Sequence, residues 1–191
     1  MIRVISGKAK GRKLKLVAGD STRPVMDRVK ENLFNLLGPQ FVPGTRWLDL
    51  FAGTGQVGIE ALSRGAAEVV FVDVARPAIR TIYDNLQHTQ LLAGAEVIHS
   101  DAFAYLSRPG LAPFDLIYVA PPQYKKLWLD VLMVIEARPG HFLREDGLVV
   151  VQLDPKEYHP LTLNGLNLQD QRRYGNTMLC FYAPAGASPI G

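Results

Sequence analysis

The pattern of apolar and polar positions divides the chain into a long central region and two different ends. In the central region, short apolar runs alternate with segments whose apolar residues recur at helical spacing. The runs contain few polar residues, which is typical of strands buried on both faces of a parallel sheet. The predicted strands cover residues 47–51, 69–72, 97–98, 116–119 and 148–151, and the predicted helices cover residues 56–64, 76–90, 101–107 and 125–137.

The two ends of the chain predict hairpins. Near the amino terminus, the β-prone runs 3–5 and 14–17 flank a glycine-punctuated turn. A helix is then predicted to begin at Pro24 and to end at Gly38. At the carboxyl end, residues 166–174 and 177–182 flank a Gly-Asn pair, which is a hairpin turn signal. We therefore expect an α/β sheet that ends in an antiparallel pair, followed by a flexible tail over residues 184–191.

Charge is distributed unevenly between these regions. Residues 1–30 carry a net charge of +7, whereas the remainder carries −4. A basic arm on a mildly acidic body indicates a polyanionic partner such as RNA, although a solvated lysine-rich hairpin is the structural alternative. The candidate phosphate contacts are Lys8, Lys10, Arg12, Lys13, Arg23, Arg28 and Lys30.

The residue composition bears on disulfides, membrane spans and metal sites. Cys180 is the single cysteine, so an internal disulfide is excluded and a buried strand thiol is predicted. The apolar runs are far shorter than the ~20 residues of a membrane span, so we expect a cytoplasmic protein without membrane contact. The four histidines, at positions 88, 99, 141 and 159, lack ligand spacing, so we expect no metal. We also expect a monomer.

A glycine-rich loop follows the first strand of the predicted sheet and precedes a helix. Gly53, Gly55 and Gly58 have the G-x-G-x-x-G spacing of nucleotide-binding turns, which by itself also fits a nicotinamide oxidoreductase. Asp49 stands four residues before Gly53. A carboxylate there suits the ammonium group of S-adenosylmethionine and would repel the pyrophosphate of NAD. A helix-capping carboxylate is the structural alternative for Asp49.

Two further acidic residues follow the next two strands. Asp73 ends the second strand, where it can accept hydrogen bonds from ribose hydroxyls in either cofactor class. Asp101 follows the third strand, where it can accept from an adenine amine, cap the next helix, or do both. The candidate cofactor-binding residues are Asp49, Phe51, Ala52, Gly53, Thr54, Gly55, Asp73, Val74, Asp101 and Ala102.

Longer segments carry a family resemblance. They are residues 3–7 with Gly11-Arg12 and Leu14, Arg23-Pro24 with residues 27–31 and 33–35, residues 48–55 with Gly58, and residues 60–66, which read Glu-Ala-Leu-Ser-Arg-Gly-Ala. In their order and spacing these segments resemble the RsmD family of bacterial small-subunit rRNA guanine-N2 methyltransferases. The resemblance implies a Rossmann-like class I methyltransferase sheet of seven strands over residues 41–183, preceded by an RNA-contacting extension over residues 1–40. It also implies S-adenosylmethionine as cofactor, and ribosomal RNA or an assembling small ribosomal subunit as partner.

One segment departs from the family pattern. Members commonly carry Asp-Pro-Pro-Tyr or Asp-Pro-Pro-Phe after the fourth strand, whereas this chain has Ala-Pro-Pro-Gln-Tyr at 120–124. The prolines keep a rigid turn that presents backbone carbonyls, and Tyr124 can stack on a target base unless it is only a half-buried aromatic at a helix start. The candidate catalytic residues are Ala120, Pro121, Pro122 and Tyr124.

The absent carboxylate leaves more than one function open. The leading hypothesis is an RNA amine methyltransferase, with a DNA or protein amine methyltransferase as a near variant. An RNA-binding ribosome assembly factor that keeps a cofactor pocket with weak or no catalysis is the second hypothesis, motivated by Ala120. A nicotinamide oxidoreductase is the third, and Asp49, the Pro-Pro turn and the basic arm argue against it.

Overall fold

In a computed structural model that describes residues 1–19 and 25–190, the strands form two sheets. The smaller sheet is an antiparallel hairpin of β1 (Ile2–Arg3) and β2 (Lys13–Leu14). The predicted hairpin is therefore present, with strands shorter than the apolar runs suggested. Pro24, the predicted first residue of the next helix, lies outside the described residues, and helix α1 spans Asp27–Leu37.

The larger sheet contains seven strands in the order β5-β4-β3-β6-β7-β9-β8. In chain order its elements are β3 (Arg46–Leu50), α2 (Gln56–Ser63), β4 (Glu68–Asp73), α3 (Arg76–Thr89), β5 (Ala95–His99), α4 (Ala102–Leu106), β6 (Phe114–Val119), α5 (Leu127–Ala137), α6 (Pro139–Phe142), β7 (Leu143–Leu153), β8 (Leu166–Tyr174) and β9 (Thr177–Pro184). Neighbouring strands are parallel except that β9 runs antiparallel to both β7 and β8. This architecture confirms the predicted fold class, and it adds α6, which the sequence pattern did not predict.

Two apolar layers cover opposite faces of this sheet, because successive side chains of a strand point to opposite sides. On one face, Trp47 and Tyr118 pack with apolar residues of the hairpin, α1, α2 and α3. On the other face, Leu48 and Ile117 pack with residues of α4, α5 and α6. The amino-terminal extension therefore shares its core with the sheet. None of the helices in the described residues is both long and apolar enough to cross a membrane.

The order in which strands are added to the sheet reverses between β3 and β6. From β3 the chain adds β4 and β5 on one side, and it then returns to add β6 and β7 on the other. In open α/β sheets, ligands bind beyond the carboxyl ends of the strands at such a reversal. The loops that leave β3 and β6 at this point are residues 51–55 and 120–126.

Candidate active site

The loop after β3 adopts a backbone conformation that few residues tolerate. Phe51, Gly53 and Gly55 have φ angles of 60°, 57° and 76°. A left-handed conformation at a non-glycine residue such as Phe51 costs on the order of 1–3 kcal/mol, and such strain is common at ligand sites. A Cβ atom on Gly53 would meet no atom closer than the Phe51 carbonyl oxygen, at 4.0 Å. The space beside Gly53 is therefore open to a ligand.

The third glycine of the loop sequence serves packing instead. A Cβ atom on Gly58 would lie 2.4 Å from Cε1 of Phe71 and 2.8 Å from Cγ1 of Val69. Because both contacts are with β4, Gly58 allows α2 to approach the sheet closely. This close approach brings the first turn of α2 over the end of β3.

Asp49 lies buried at this junction, and the residue is 2% exposed. Its Oδ2 atom accepts a hydrogen bond from the Gly58 N–H at 3.2 Å, as the helix-capping alternative expects. Burial raises the pKa of the Asp49 carboxyl to about 8, and the negative charge of Asp73 adds to the shift. A cation next to the carboxylate would offset this cost.

A second buried acceptor lies at the start of α2. The side-chain oxygen Oε1 of Gln56 has no hydrogen-bond partner within residues 1–19 and 25–190, and the residue is 4% exposed. An orphaned buried acceptor costs free energy unless a donor reaches it. Asp49 and Gln56 therefore fit the ammonium group of the implied cofactor.

Asp73 braces the glycine loop from the neighbouring strand. Its Oδ2 accepts from the Gly53 N–H at 2.9 Å, and its Oδ1 accepts from the Ala75 N–H at 2.8 Å. Each carboxylate oxygen can accept a further hydrogen bond, so both atoms retain capacity for ribose hydroxyls. Asp73 is the last residue of β4, as the sequence analysis expected, and the structure places it beside the loop.

Asp101 caps helix α4. Its Oδ1 accepts from the N–H groups of Phe103 and Ala104 at 2.9 and 3.1 Å, which confirms the predicted cap. Across the described part of the chain, no side chain or backbone group donates to its Oδ2, and the residue is exposed. Capping therefore leaves one oxygen available for an amine donor.

The remaining predicted cofactor residues lie along the same edge of the sheet. Ala52 and Ala102 are buried, Thr54 is half-buried, and Val74 is 64% exposed. The carbonyl oxygen of Thr54 accepts a hydrogen bond from the side-chain amide of Asn85 at 2.9 Å, which ties the loop to α3. The edge thus combines a fixed loop with an exposed apolar side chain.

The segment after β6 carries Tyr124 on a loop, not on the first turn of a helix. Ala120 packs against the apolar layer that contains Tyr118, whereas Tyr124 is 63% exposed and has a φ angle of 61°. Pro121 is half-buried and Pro122 is exposed. Helix α5 begins only at Leu127, so the half-buried aromatic at a helix start does not describe Tyr124.

Two acidic residues that the sequence analysis missed hold Tyr124. The Tyr124 hydroxyl donates to Oδ2 of Asp154 at 2.6 Å, and the Tyr124 N–H donates to Oε1 of Glu157 at 2.8 Å. This hydroxyl bond raises the pKa of Tyr124 and lowers the pKa of Asp154. The signal in the sequence was their position directly after β7, whose carboxyl end lies next to that of β6.

The predicted phosphate contacts fall into different groups. The side chains of Lys8, Lys10, Lys13 and Arg28 are exposed. Arg12 is half-buried, and its guanidinium donates to the His88 carbonyl oxygen and, at 3.4 Å, to Gln90 Oε1. Arg23 lies outside the described residues.

Lys30 corrects one prediction. The side chain is fully buried, and its ammonium donates to the Arg3 carbonyl oxygen and lies 3.4 Å from Oε2 of Glu60. Burial lowers the pKa of Lys30. The prediction that Lys30 contacts RNA phosphate is therefore wrong, because its charge is paired inside the protein.

Glu60 joins the amino-terminal extension to α2. Its carboxylate accepts from the N–H groups of Ile5 at 2.8 Å and Ser6 at 2.9 Å, and from Nε of Arg64 at 2.8 Å. With Lys30, these groups form a buried network around one carboxylate. The network fixes the hairpin relative to the helix that follows the glycine loop.

Cys180 is buried in β9, as the sequence analysis expected. Burial raises the pKa of the thiol to about 12. The thiolate is therefore scarce at neutral pH, and Cys180 is unsuited to act as a nucleophile.

The strand order, together with acidic residues at the ends of β3 and β4 around a glycine loop, defines the Rossmann-like methyltransferase class. The family described as "Conserved hypothetical protein 95" matches residues 2–183. The chain belongs to this family, the RsmD family, which confirms the resemblance seen in the sequence.

Individual relatives align over nearly the whole chain. "Putative rRNA methyltransferase YlbH" of Bacillus subtilis is 42% identical over 187 residues, which are 97% of this chain and 100% of that protein. "Ribosomal RNA small subunit methyltransferase D" of Escherichia coli is 32% identical over 181 residues, which are 95% of this chain and 89% of that protein. The solved structure of "Putative methyltransferase yhhF from Escherichia coli" has a TM-score of 0.82 at 32% identity, and the alignment covers 98% of this chain and 99% of that one.

Proposed function

We propose that this protein is an S-adenosylmethionine-dependent methyltransferase that modifies the exocyclic N2 amine of a guanine in small-subunit ribosomal RNA. The observation that carries the proposal is the pair of acidic residues at the glycine loop, with Asp49 buried beneath it and Asp73 bonded to Gly53 at 2.9 Å. The names of the relatives support ribosomal RNA as the substrate. Such an enzyme would act in the cytoplasm, as a monomer, on ribosomal RNA or on an assembling subunit.

Charge at the loop argues against a nicotinamide cofactor. Dinucleotide sites place a pyrophosphate next to the glycine turn, where backbone N–H groups bind it. Here Asp73 already accepts a hydrogen bond from the Gly53 N–H, and Asp49 accepts one from the Gly58 N–H. Two carboxylates in these positions would repel a pyrophosphate, and they suit a ligand with an ammonium group and a ribose.

Each residue of the site then has a defined task. When bound, S-adenosylmethionine supplies an electrophilic methyl group on a sulfonium. Asp49 and the Gln56 side-chain oxygen would accept hydrogen bonds from the ammonium of the cofactor, and Asp73 would accept from the ribose. The free oxygen of Asp101 would accept from the adenine amine. Tyr124 stacks on the target base.

Methyl transfer to a guanine amine needs orientation more than it needs a strong base. The nitrogen lone pair is delocalised into the ring, so acceptors must hold the amine with its lone pair directed at the methyl group. Backbone carbonyls of the rigid turn at Ala120 and Pro121 supply such acceptors. The methylated ammonium is acidic and loses its proton readily.

The absence of a carboxylate at Ala120 lowers the expected rate without abolishing the reaction. Removing one preorganised polar contact typically costs ~10²–10³ in rate. Gln123, exposed in the same loop, offers a further side-chain carbonyl. We therefore expect slow methyl transfer that depends on positioning of the base.

Partition of a radiolabel tests this function. Cofactor labelled on its methyl group is incubated with the protein and a mixture of small ribosomal subunits lacking the modification, DNA and unrelated protein. We expect label in RNA, none with Asp49→Ala, and an equal or higher rate with Ala120→Asp. If the cofactor binds tightly and no label enters any acceptor over many hours, the assembly-factor hypothesis replaces this one.

A further inference from the structure

The loop that carries Tyr124 contains two residues in an unfavourable backbone conformation. Tyr124 and Lys126 have φ angles of 61° and 56°. Residues with a Cβ atom rarely adopt this region, because the Cβ crowds the backbone. Such a conformation persists where surrounding contacts fix it, and it is common at binding sites.

The contacts that fix the loop come from the segment 154–157, directly after β7. Asp154 and Glu157 bind the Tyr124 hydroxyl and N–H at 2.6 and 2.8 Å. Asp154 is itself held, because its Oδ1 accepts from the Lys156 N–H at 2.9 Å and its carbonyl oxygen accepts from the Glu157 N–H at 2.9 Å. The far end of the ring and the backbone of Tyr124 are therefore both tied to one turn.

The Tyr124 hydroxyl donates to a carboxylate, so the bond is charge-assisted. This hydrogen bond lowers the pKa of Asp154, which keeps the carboxyl group ionised. The tyrosine nevertheless remains 63% exposed, so its ring is fixed but largely uncovered. An aromatic ring that is fixed at its edge and open elsewhere can receive a flat ligand without losing much conformational entropy.

We propose that Asp154 and Glu157 are positioning residues that hold the Tyr124 ring as a preformed stacking platform for the target base. The inference rests on the proposed function. It deepens that function because Ala120 provides no carboxylate to orient the amine, so alignment of the base depends more on the ring beneath it. Asp154 acts through Tyr124, and its task is to fix the angle at which the base meets the methyl group.

A double-mutant cycle tests the inference. Tyr124→Phe keeps the ring and removes the hydroxyl, whereas Asp154→Ala removes the acceptor. Each variant is expected to lower kcat/KM for the RNA substrate by about 5- to 50-fold, with unchanged cofactor affinity and melting temperature. The kcat/KM of the double variant should be no lower than that of the less active single variant, because both changes break the same bond. Matched controls are Tyr83→Phe, an exposed tyrosine of α3, and Asp146→Ala, an exposed aspartate near the start of β7.

Graded variants separate positioning from folding. Asp154→Asn keeps a weaker acceptor of the same shape, so its kcat/KM should be higher than that of Asp154→Ala. For the same reason, the kcat/KM of Glu157→Gln should be higher than that of Glu157→Ala. If Asp154→Ala fails to fold, Tyr124→Phe still carries the test, since its side chain is exposed. Single variants that match the wild type, or losses that multiply in the double variant, would overturn the inference and leave the proposed function intact. A wild-type protein that binds cofactor and transfers no methyl group would overturn both.

Discussion

The carboxylate of Asp73, at the end of β4, accepts a hydrogen bond at 2.9 Å from the backbone N–H of Gly53, in the loop after β3. One side chain therefore shapes the glycine loop, and in the proposed function the same side chain offers acceptors to the ribose of the cofactor. Through its Oδ1 it also fixes Ala75, just before α3. Under the proposed function, loop geometry and ribose recognition would depend on the same carboxylate.

Replacing this carboxylate should weaken cofactor binding. Asp73→Ala is expected to reduce the affinity for S-adenosylmethionine by at least about tenfold, since hydrogen bonds to charged groups contribute ~1.5–3 kcal/mol. Isothermal titration calorimetry measures the change. Asp84→Ala is the matched control, because this exposed aspartate of α3 pairs with Lys15 at the surface. An Asp73→Ala affinity equal to that of the wild type would contradict the assignment.

The buried carboxylate of Asp49 should lower the stability of the fold at high pH, although it is expected to bind the cofactor. Its carboxyl has a pKa of about 8 in the folded chain, against an ordinary value of 3.8, so the folded state holds a proton that the unfolded state has lost between these values. The free energy of unfolding contributed by Asp49 is therefore fully present below about pH 4 and is lost as the pH rises towards 8.

The variant Asp49→Asn cannot ionise and should avoid this loss. At about pH 8 it is expected to unfold with a free energy ~1–3 kcal/mol above that of the wild type, and the difference should vanish towards pH 4. Its cofactor affinity should fall at least tenfold. Urea unfolding at several pH values measures the first effect, with Asp130→Asn on α5 as the exposed control. A variant that is less stable than the wild type at pH 8 would contradict the predicted effect of burying the Asp49 charge.

Glu60 should be far more important for stability than for cofactor binding. Glu60→Ala leaves the buried ammonium of Lys30 without its carboxylate, and breaking such a pair costs ~3–5 kcal/mol. The double variant Lys30→Met with Glu60→Ala should recover part of this loss. Denaturant unfolding compares both with Glu31→Ala, an exposed residue of α1. A Glu60→Ala variant that matched the Glu31→Ala control would show that the network contributes little.

The basic hairpin should contribute electrostatically to RNA binding. Replacing Lys8, Lys10 and Lys13 by Gln removes exposed charges that make no ion pair with the described residues. The slope of log affinity against log salt should decrease by about 2, since each phosphate contact contributes ~0.7–0.9. Arg138→Gln with Arg144→Gln, two exposed arginines that flank α6 and lie outside the basic hairpin, should leave the slope unchanged. An unaltered slope in the lysine variant would make the hairpin a structural element only.

The fold could be predicted from the sequence because its signals are local. Apolar runs predicted the five parallel strands β3 to β7, and Gly175-Asn176 predicted the final hairpin of β8 and β9. The glycine spacing likewise predicted the loop that follows β3. It did not separate the glycine that borders open space, Gly53, from the one that packs against Phe71.

The remaining features depend on contacts between distant parts of the chain. Lys30 looks like its exposed neighbour Arg28 in sequence, and only the meeting of α1 with α2 shows that its charge is paired with Glu60. Asp154 and Glu157 lie more than 25 positions from Tyr124, so no local pattern joins them. Their position after β7 is the one signal that the sequence carries, and the hydrogen bonds that join them to Tyr124 become visible only in the fold.

The most direct test of the central claim is the identity of the methylated nucleoside. Small ribosomal subunits from cells lacking this protein are incubated with S-adenosylmethionine and either the wild type or Asp49→Ala, and their RNA is digested to nucleosides for mass spectrometry. We predict that N2-methylguanosine increases with the wild type and stays at background with the variant. A wild-type protein that binds the cofactor and leaves N2-methylguanosine at background would contradict the account.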